Sequence, residues 1–180
     1  MPFSPDSLRK ALSERVVVSD GAMGTMLQDR DLGLSDFEGH EGCNEILNVT
    51  RPDVVRAIHD AYFEVGVDCV GTNTFGANFA NLAEYDITER IYELARAGAA
   101  VARESADSWS TEDRPRWVLG SVGPGTKLPT LGHTTYAILR DAYQEQTRGL
   151  IDGGADAVLI ETTQDLLQTK AAVTGAKRAL

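Results

Sequence analysis

The sequence predicts an α/β protein whose parallel strands are joined by crossover helices. Three observations carry that expectation. Four short β-rich segments, Val16 to Asp20, Val67 to Asn73, Trp117 to Val122 and Ala157 to Glu161, begin apolar and end in small or polar residues. Stretches of helical periodicity separate them, and a parallel neighbour strand requires a crossover of about a dozen residues or more, usually helical. The third observation is an internal echo. Gly66-Val67-Asp68-Cys69-Val70 and Gly154-Ala155-Asp156-Ala157-Val158 stand 88 residues apart, each with a glycine that can end a helix, an acid in the turn and entry into a strand.

Taken in order, Val16-Val17-Val18 opens the first strand and Asp20-Gly21-Ala22-Met23-Gly24-Thr25 follows it as a glycine-rich turn. Thr50-Arg51-Pro52-Asp53 is a helix start, with a capping residue, an early proline and an early acid, and Val54, Val55, Ile58, Tyr62 and Val65 form its apolar stripe. A second stripe runs from Ile87 through Ile91, Leu94, Ala95, Gly98 and Val101, and a third, after Thr134, through Leu139, Tyr143, Leu150 and Ile151. A fourth helix is expected from Asp165, with that residue as its cap. Ser105 to Arg116 reads as an exposed helix-to-strand connection. The 88-residue offset, carried to the far ends of the strands, sets Asn73 over Glu161 and Thr74 over Thr162, at the carboxyl ends where α/β enzymes build their sites. Four βα units make the first half of a (β/α)8 TIM barrel, so residues 1–180 are expected to be the amino-terminal part of a barrel domain. The helix-like pattern at the end, with no terminating Gly or Pro, suggests a segment of a longer chain that alone would be marginal or self-associating.

Composition limits the partners. The 27 acidic residues against 17 Lys and Arg give a net charge of −10, which removes the positive field that nucleic acid or an anionic membrane surface demands. With 42% hydrophobic residues in regular periods, disorder is not expected. No apolar run exceeds four residues, against roughly 20 for a spanning helix and about 7 to 15 for a signal-peptide core, so the expected location is the cytoplasm. Cys43 and Cys69 are too few for a disulfide scaffold and read as reduced packing residues.

Four motifs bear on chemistry. The turn Asp20-Gly21-Ala22 lets backbone N–H groups approach an anion such as a carboxylate; the plain alternative is a tight turn with Asp20 as a helix cap. Glu161, at the end of the buried run Ala157-Val158-Leu159-Ile160, suits a substrate ammonium, with a structural ion pair to Lys170 or an arginine as the alternative. The stretch Gly120-Ser121-Val122-Gly123-Pro124-Gly125-Thr126-Lys127 has the wrong order for a phosphate loop, and Pro124 removes a donor; it reads as a shaped loop at the mouth of a site. His40-x-x-Cys43, His59 and Cys69 contain ligand-type atoms, but no second local pair fixes a tetrahedral metal site, and Asn44 and Glu45 read as ties to neighbouring backbone.

With these residues in view, the chain resembles the amino-terminal homocysteine-binding module of the cobalamin-dependent methionine synthases. The likeness rests on Asp20 to Thr25, Gly42-Cys43-Asn44-Glu45 with Asn48 to Pro52, Thr72-Asn73-Thr74-Phe75-Gly76, Gly120 to Pro129, and Glu161-Thr162 with Gln164-Asp165. The resemblance implies that homocysteine lies across the carboxyl ends of barrel strands. It implies that the Asp20-Gly21-Ala22 turn and Glu161 hold the amino-acid end, with Asn73, Thr74 and Ser121 lining the pocket. It also implies a zinc-bound thiolate attacking the methyl group of methylcobalamin, and further modules of the same chain for methyltetrahydrofolate, cobalamin and S-adenosylmethionine. The sequence departs from the family in lacking the three zinc cysteines, which include an adjacent Cys-Cys pair, so neither zinc nor cobalamin is expected to be fully bound by this segment. Betaine- or S-methylmethionine-dependent methyltransferases, a non-catalytic half-barrel binding module, and an unrelated barrel enzyme acting on a small acid stand as alternatives.

Overall fold

The computed structural model describes residues 5–180. In chain order its elements are α1 (Pro5–Glu14), α2 (Met23–Gln28), α3 (Leu47–Thr50), α4 (Pro52–Val65), β1 (Cys69–Gly71), α5 (Phe79–Leu82), α6 (Ile91–Trp109), β2 (Trp117–Val122), α7 (Tyr136–Asp152), β3 (Ala157–Ile160) and α8 (Leu166–Ala179). The strands form a parallel sheet in the order β1-β2-β3, with Cys69 opposite Trp117 and Leu119 opposite Ala157. Strands consecutive in sequence are neighbours in space, and each connection between them carries a long helix, as the spacing requires.

The four long helices fall where periodicity placed them. Pro52 occupies the first turn of α4 and Gly66 closes it in the left-handed region, at φ +104°. The Thr50 hydroxyl is not the cap expected of it; it donates to the Asp36 carbonyl instead. Asp165 caps α8 through Leu167 and Gln168 N–H, as expected, and Thr135, which the sequence reading did not single out, caps α7 through Ile138 N–H. Helix α6 continues through Ser105, which is fully buried, so the exposed connection before β2 is shorter than the Ser105 to Arg116 stretch the sequence suggested, and Arg116 is buried at the strand entry.

The first expected strand is corrected. Val16 to Asp20 runs beside β1 but makes only an isolated parallel bridge, Ser19 to Cys69. The Val18 N–H, which a regular ladder would use, donates to the Asp68 carboxylate at 2.9 Å, and Val16 and Val18 stay exposed. Strand β1 is likewise shorter than Val67 to Asn73, because Gly71 N–H turns to a side chain, the carboxylate of Asp20.

Alternation along the strands gives the sheet two faces. Val70, Val118 and Val122 pack under α4, α6 and α7 with Phe63, Ala102 and Leu150. On the other face, Cys69, Trp117, Leu119 and Ala157 form a cluster with Leu8 of α1, whose Ser7 hydroxyl accepts from the Trp117 indole at 2.9 Å. Helix α1 therefore covers the amino-terminal half of the face whose carboxyl-terminal half carries Gly71, Ser121 and Glu161. Helices α6 and α7 meet closely because Gly149 has no side chain: a Cβ there would lie 2.6 Å from the Tyr92 carbonyl. No helix among the described residues is long and apolar enough to cross a membrane.

Candidate functional site

A cavity of about 360 Å³ opens at the carboxyl ends of the strands, with Asp20, Gly21, Asn73, Ser121 and Glu161 in its wall. Its position follows from the strands. Ser121 is the fifth residue of β2, and Glu161 immediately follows β3, its N–H donating to the Val122 carbonyl at 3.1 Å to complete the ladder. The Ser121 hydroxyl donates to Glu161 Oε1 at 2.7 Å. Thr162 then turns the chain with φ +59°, and its hydroxyl donates to Glu161 Oε2 at 3.4 Å.

Asp20 comes from the bridged segment beside β1. Gly71 N–H donates to both of its oxygens, at 3.0 and 2.9 Å, and the Ser19 hydroxyl to Oδ1 at 3.1 Å. Burial pushes the Asp20 carboxyl up to about 6; these donors oppose the rise and the nearby charge of Glu161 adds to it. Gly21 and Ala22 follow as an exposed turn entering α2. The Tyr62 hydroxyl of α4 donates to the Ala22 carbonyl at 3.2 Å and lies where a Cβ on Gly21 would come within 3.2 Å. No acceptor meets the N–H groups of Gly21 and Ala22 among the described residues.

Asn73 is fixed by a reciprocal amide pair. Its Nδ2 donates to Asn48 Oδ1 at 3.0 Å and to the Asn44 carbonyl at 2.8 Å, while Asn48 Nδ2 donates to the Asn73 carbonyl at 2.8 Å. Thr74 is not brought to the cavity. It is fully buried, its hydroxyl donates to the Ser121 carbonyl at 2.8 Å, and its methyl faces Gly98 of α6. The chain bends at Asn73, where Thr74 N–H donates to the Thr72 carbonyl at 2.8 Å, so Asn73 faces the cavity while Thr74 turns into the core.

Glu45 is a wall residue for which the sequence suggested only a turn contact. Buried at the cavity edge, it accepts from Gly76 N–H at 2.7 Å, 31 residues away, and burial raises its carboxyl. The signal was an acid set between Cys43 and Ile46 in the turn Cys43-Asn44-Glu45-Ile46. Three carboxylates thus line a cavity whose wall contains no Lys or Arg among the described residues, which favours a ligand bearing positive charge. The Gly120 to Lys127 loop is held in shape by the Tyr143 hydroxyl, which donates to the Gly123 and Pro124 carbonyls, and by Gln168 Nε2, which donates to Lys127 O at 3.2 Å.

The described residues do not form a metal site. Cys43 lies in the main core, where burial and the neighbouring Glu45 push its thiol up to about 12; Cys69 packs against Trp117 near α1; His59 is buried in α4. These positions do not fit zinc, whose thiolate ligands must be deprotonated and converge, and no cluster of three or more candidate ligands exists among the described residues.

Comparison with known proteins defines the class. Residues 17–179 match the homocysteine S-methyltransferase family model, and the chain belongs to that family. Among individual relatives, it is 63% identical over 173 residues to the methionine synthase of Mycobacterium tuberculosis (strain ATCC 25618 / H37Rv) and 61% identical to that of Mycobacterium leprae (strain TN). Each match covers 96% of this chain and 14% of the relative's length. The fold is similar to that of the homocysteine methyltransferase MmuM from Escherichia coli in its metallated form, with a TM-score of 0.76 at 23% identity over 98% of this chain and 64% of that one.

Proposed function

We propose that this chain is the homocysteine-binding part of a methionine synthase, and that its βα units are the first half of a (β/α)8 barrel acting in the cytoplasm. The pairing of a carboxylate-lined cavity with a glycine turn of open N–H groups, Asp20-Gly21-Ala22, carries this reading. An α-amino acid presents an ammonium and a carboxylate on one carbon, and the wall offers a complement to each. Glu161, oriented by Ser121, and Asp20 face the ammonium; the N–H groups of Gly21 and Ala22 receive the carboxylate. Asn73 and Ser121 line the side of the ligand. At about 360 Å³ the cavity is at the small end of ligand pockets, which suits an amino acid.

In this reading the chain's own residues bind and orient, leaving the substrate sulfur directed out of the acidic end. The methyl group is supplied by methylcobalamin, replenished from 5-methyltetrahydrofolate, in further modules of the same polypeptide. The zinc that activates the thiol takes its ligands from outside the described residues, because neither Cys43 nor Cys69 is placed to serve. The 63% identity to a methionine synthase favours this donor over betaine or S-methylmethionine.

Replacement of Glu161 by Gln tests the assignment. It keeps an acceptor for the Ser121 hydroxyl and removes the charge, and a charge-assisted hydrogen bond is worth about 1.5–3 kcal/mol. In the intact enzyme the KM for homocysteine should rise roughly 10- to 100-fold with kcat little changed. Unchanged kinetics would remove Glu161 from the site.

A further inference from the structure

We propose that Thr162 is a positioning residue for Glu161: its left-handed backbone and its hydroxyl together aim the glutamate carboxylate into the cavity. The inference rests on the role given above to Glu161 and goes beyond it, from the group that meets the ligand to the device that holds it.

Three non-glycine residues among those described have positive φ, and the other two, Glu38 and Asp86, are acids. Thr162, at φ +59°, is β-branched, a class for which left-handed backbone is a genuine outlier that carries a free-energy cost. Its side chain is exposed, so core packing does not offset that cost. What the conformation does accomplish is local. The ladder ends at Glu161 N–H, the chain turns at once, and the Thr162 hydroxyl is left beside Glu161 Oε2 while the Ser121 hydroxyl takes Oε1. Two hydroxyls from two different strand ends thus bracket one carboxylate, one on each oxygen. A free glutamate loses rotamer entropy on being fixed; a bracketed one has already lost much of it before ligand arrives. Strain of this kind is characteristic of functional sites.

The internal echo gives a comparison within the same molecule. Thr74 is the counterpart of Thr162 by the 88-residue offset, yet it is buried and its hydroxyl serves the Ser121 carbonyl and Thr72. The same residue type therefore ties the sheet together at one strand end and orients a carboxylate at the other.

The test uses Thr162→Val, Thr162→Ser and Thr162→Gly in the intact enzyme, with homocysteine and its des-amino analogue 4-mercaptobutanoate as substrates. Thr162→Val keeps the shape and removes the hydroxyl. It should raise the KM for homocysteine about five- to tenfold, leave kcat within about twofold, and leave the KM for the analogue, which has no ammonium, unchanged. Thr162→Ser should restore the homocysteine KM. Thr162→Gly relieves the backbone and should raise the melting temperature while still raising the homocysteine KM, which keeps the test open if the valine variant folds poorly. Equal losses for both substrates, or no loss for either, would overturn the positioning role. Glu161→Gln serves as the control: a rise in homocysteine KM there with none in the Thr162 variants defeats this inference alone, whereas no rise in Glu161→Gln defeats the assignment of Glu161 as well.

Discussion

Homocysteine affinity should climb with pH through a titration near 6, and the group responsible should be Asp20. Burial raises this carboxyl to about 6 from an ordinary 3.8, with the charge of Glu161 adding to the rise. A substrate ammonium between the two carboxylates reverses the second cause directly and offsets the first, so the bound state holds Asp20 ionised. By linkage, a full return to the ordinary value is about 2.2 units, or about 3 kcal/mol between acid and neutral pH. Asp20 is partly solvent-exposed, and screening cuts that figure to about 1–2 kcal/mol, roughly a 5- to 30-fold change in Kd. Measured with 2-aminobutanoate, which lacks the thiol and so gives up no proton to zinc, the ligand itself does not titrate here, since its ammonium ionises well above pH 7 and its carboxyl well below pH 5. Calorimetry from pH 5 to 7.5, repeated in buffers of different ionisation enthalpy, reads both the affinity and the proton released on binding. The slope should be positive, proton release should be greatest between the bound and free values, below pH 6, and fall away toward pH 7.5, and Asp20→Asn should abolish both. A Kd that is flat over this range, or a slope that survives in Asp20→Asn, would refute the ammonium assignment.

Three further outcomes concern stability. His59 is fully buried, neither ring nitrogen has a partner among the described residues, and burial lowers its pKa to about 4. Its folded value lies below the unfolded value near 6.5, so its contribution is intact above pH 6.5 and is lost as pH falls toward 4, by about 3 kcal/mol in all; His59→Leu should flatten that part of a denaturation profile between pH 4 and 7. Asp20 runs the other way, its contribution being complete below pH 3.8 and lost as pH rises through 6, so Asp20→Asn should stabilise the fold at neutral pH. Gly98→Ala, ordinarily worth up to about 1 kcal/mol in a helix, should instead destabilise by about 1–3 kcal/mol. The new Cβ would lie 2.6 Å from both Asn48 Nδ2 and Thr74 Cγ2, so thermal melts should fall as Asn73 loses its amide partner.

The long helices were legible because their signals are local. Pro52 and Asp53 start α4, Gly66 ends it, and the apolar stripe between them needs only its own periodicity. Ala157 to Ile160 was legible for the same reason. The first strand was misjudged because its regularity depends on where one N–H goes: Val18 donates to Asp68, 50 residues away, and no pattern within Val16 to Asp20 encodes that. Helix α1 drew no attention because its partners, Cys69 and Trp117, belong to strands far along the chain. At the site, Asp20, Gly21, Ala22, Asn73, Ser121 and Glu161 were all brought to one cavity. Thr74 was not, because the offset argument located a strand end without deciding which face each residue takes. Glu45 was undervalued, since its partner Gly76 is distant and a buried acid cannot be told from a turn acid by sequence alone.

The echo between the two βα units separates what holds the fold from what lines the cavity. At the amino ends of β1 and β3 the two copies act alike. Asp68 accepts Val18 N–H at 2.9 Å and pairs with Arg15 at 2.8 Å; Asp156 accepts Val118 N–H at 2.8 Å and pairs with Arg103 at 2.8 Å. Each acid clamps the strand beside it, and Gly66 and Gly154, at φ +104° and +99°, deliver the chain to that clamp. At the carboxyl ends the copies part. Asn73 closes an amide network with Asn48 that fixes the loop after β1, whereas Glu161 is held between two hydroxyls at the cavity wall. A substitution at Asp156 should therefore loosen the sheet without altering what the cavity selects, and one at Glu161 should alter selection without loosening the sheet. That division matches the general rule that parallel α/β folds place ligands beyond the carboxyl ends of their strands. Here it has a physical origin. The amino ends are closed by paired charges and by α1, and the carboxyl ends are where unpaired carboxylates and open N–H groups are left to be completed by a ligand.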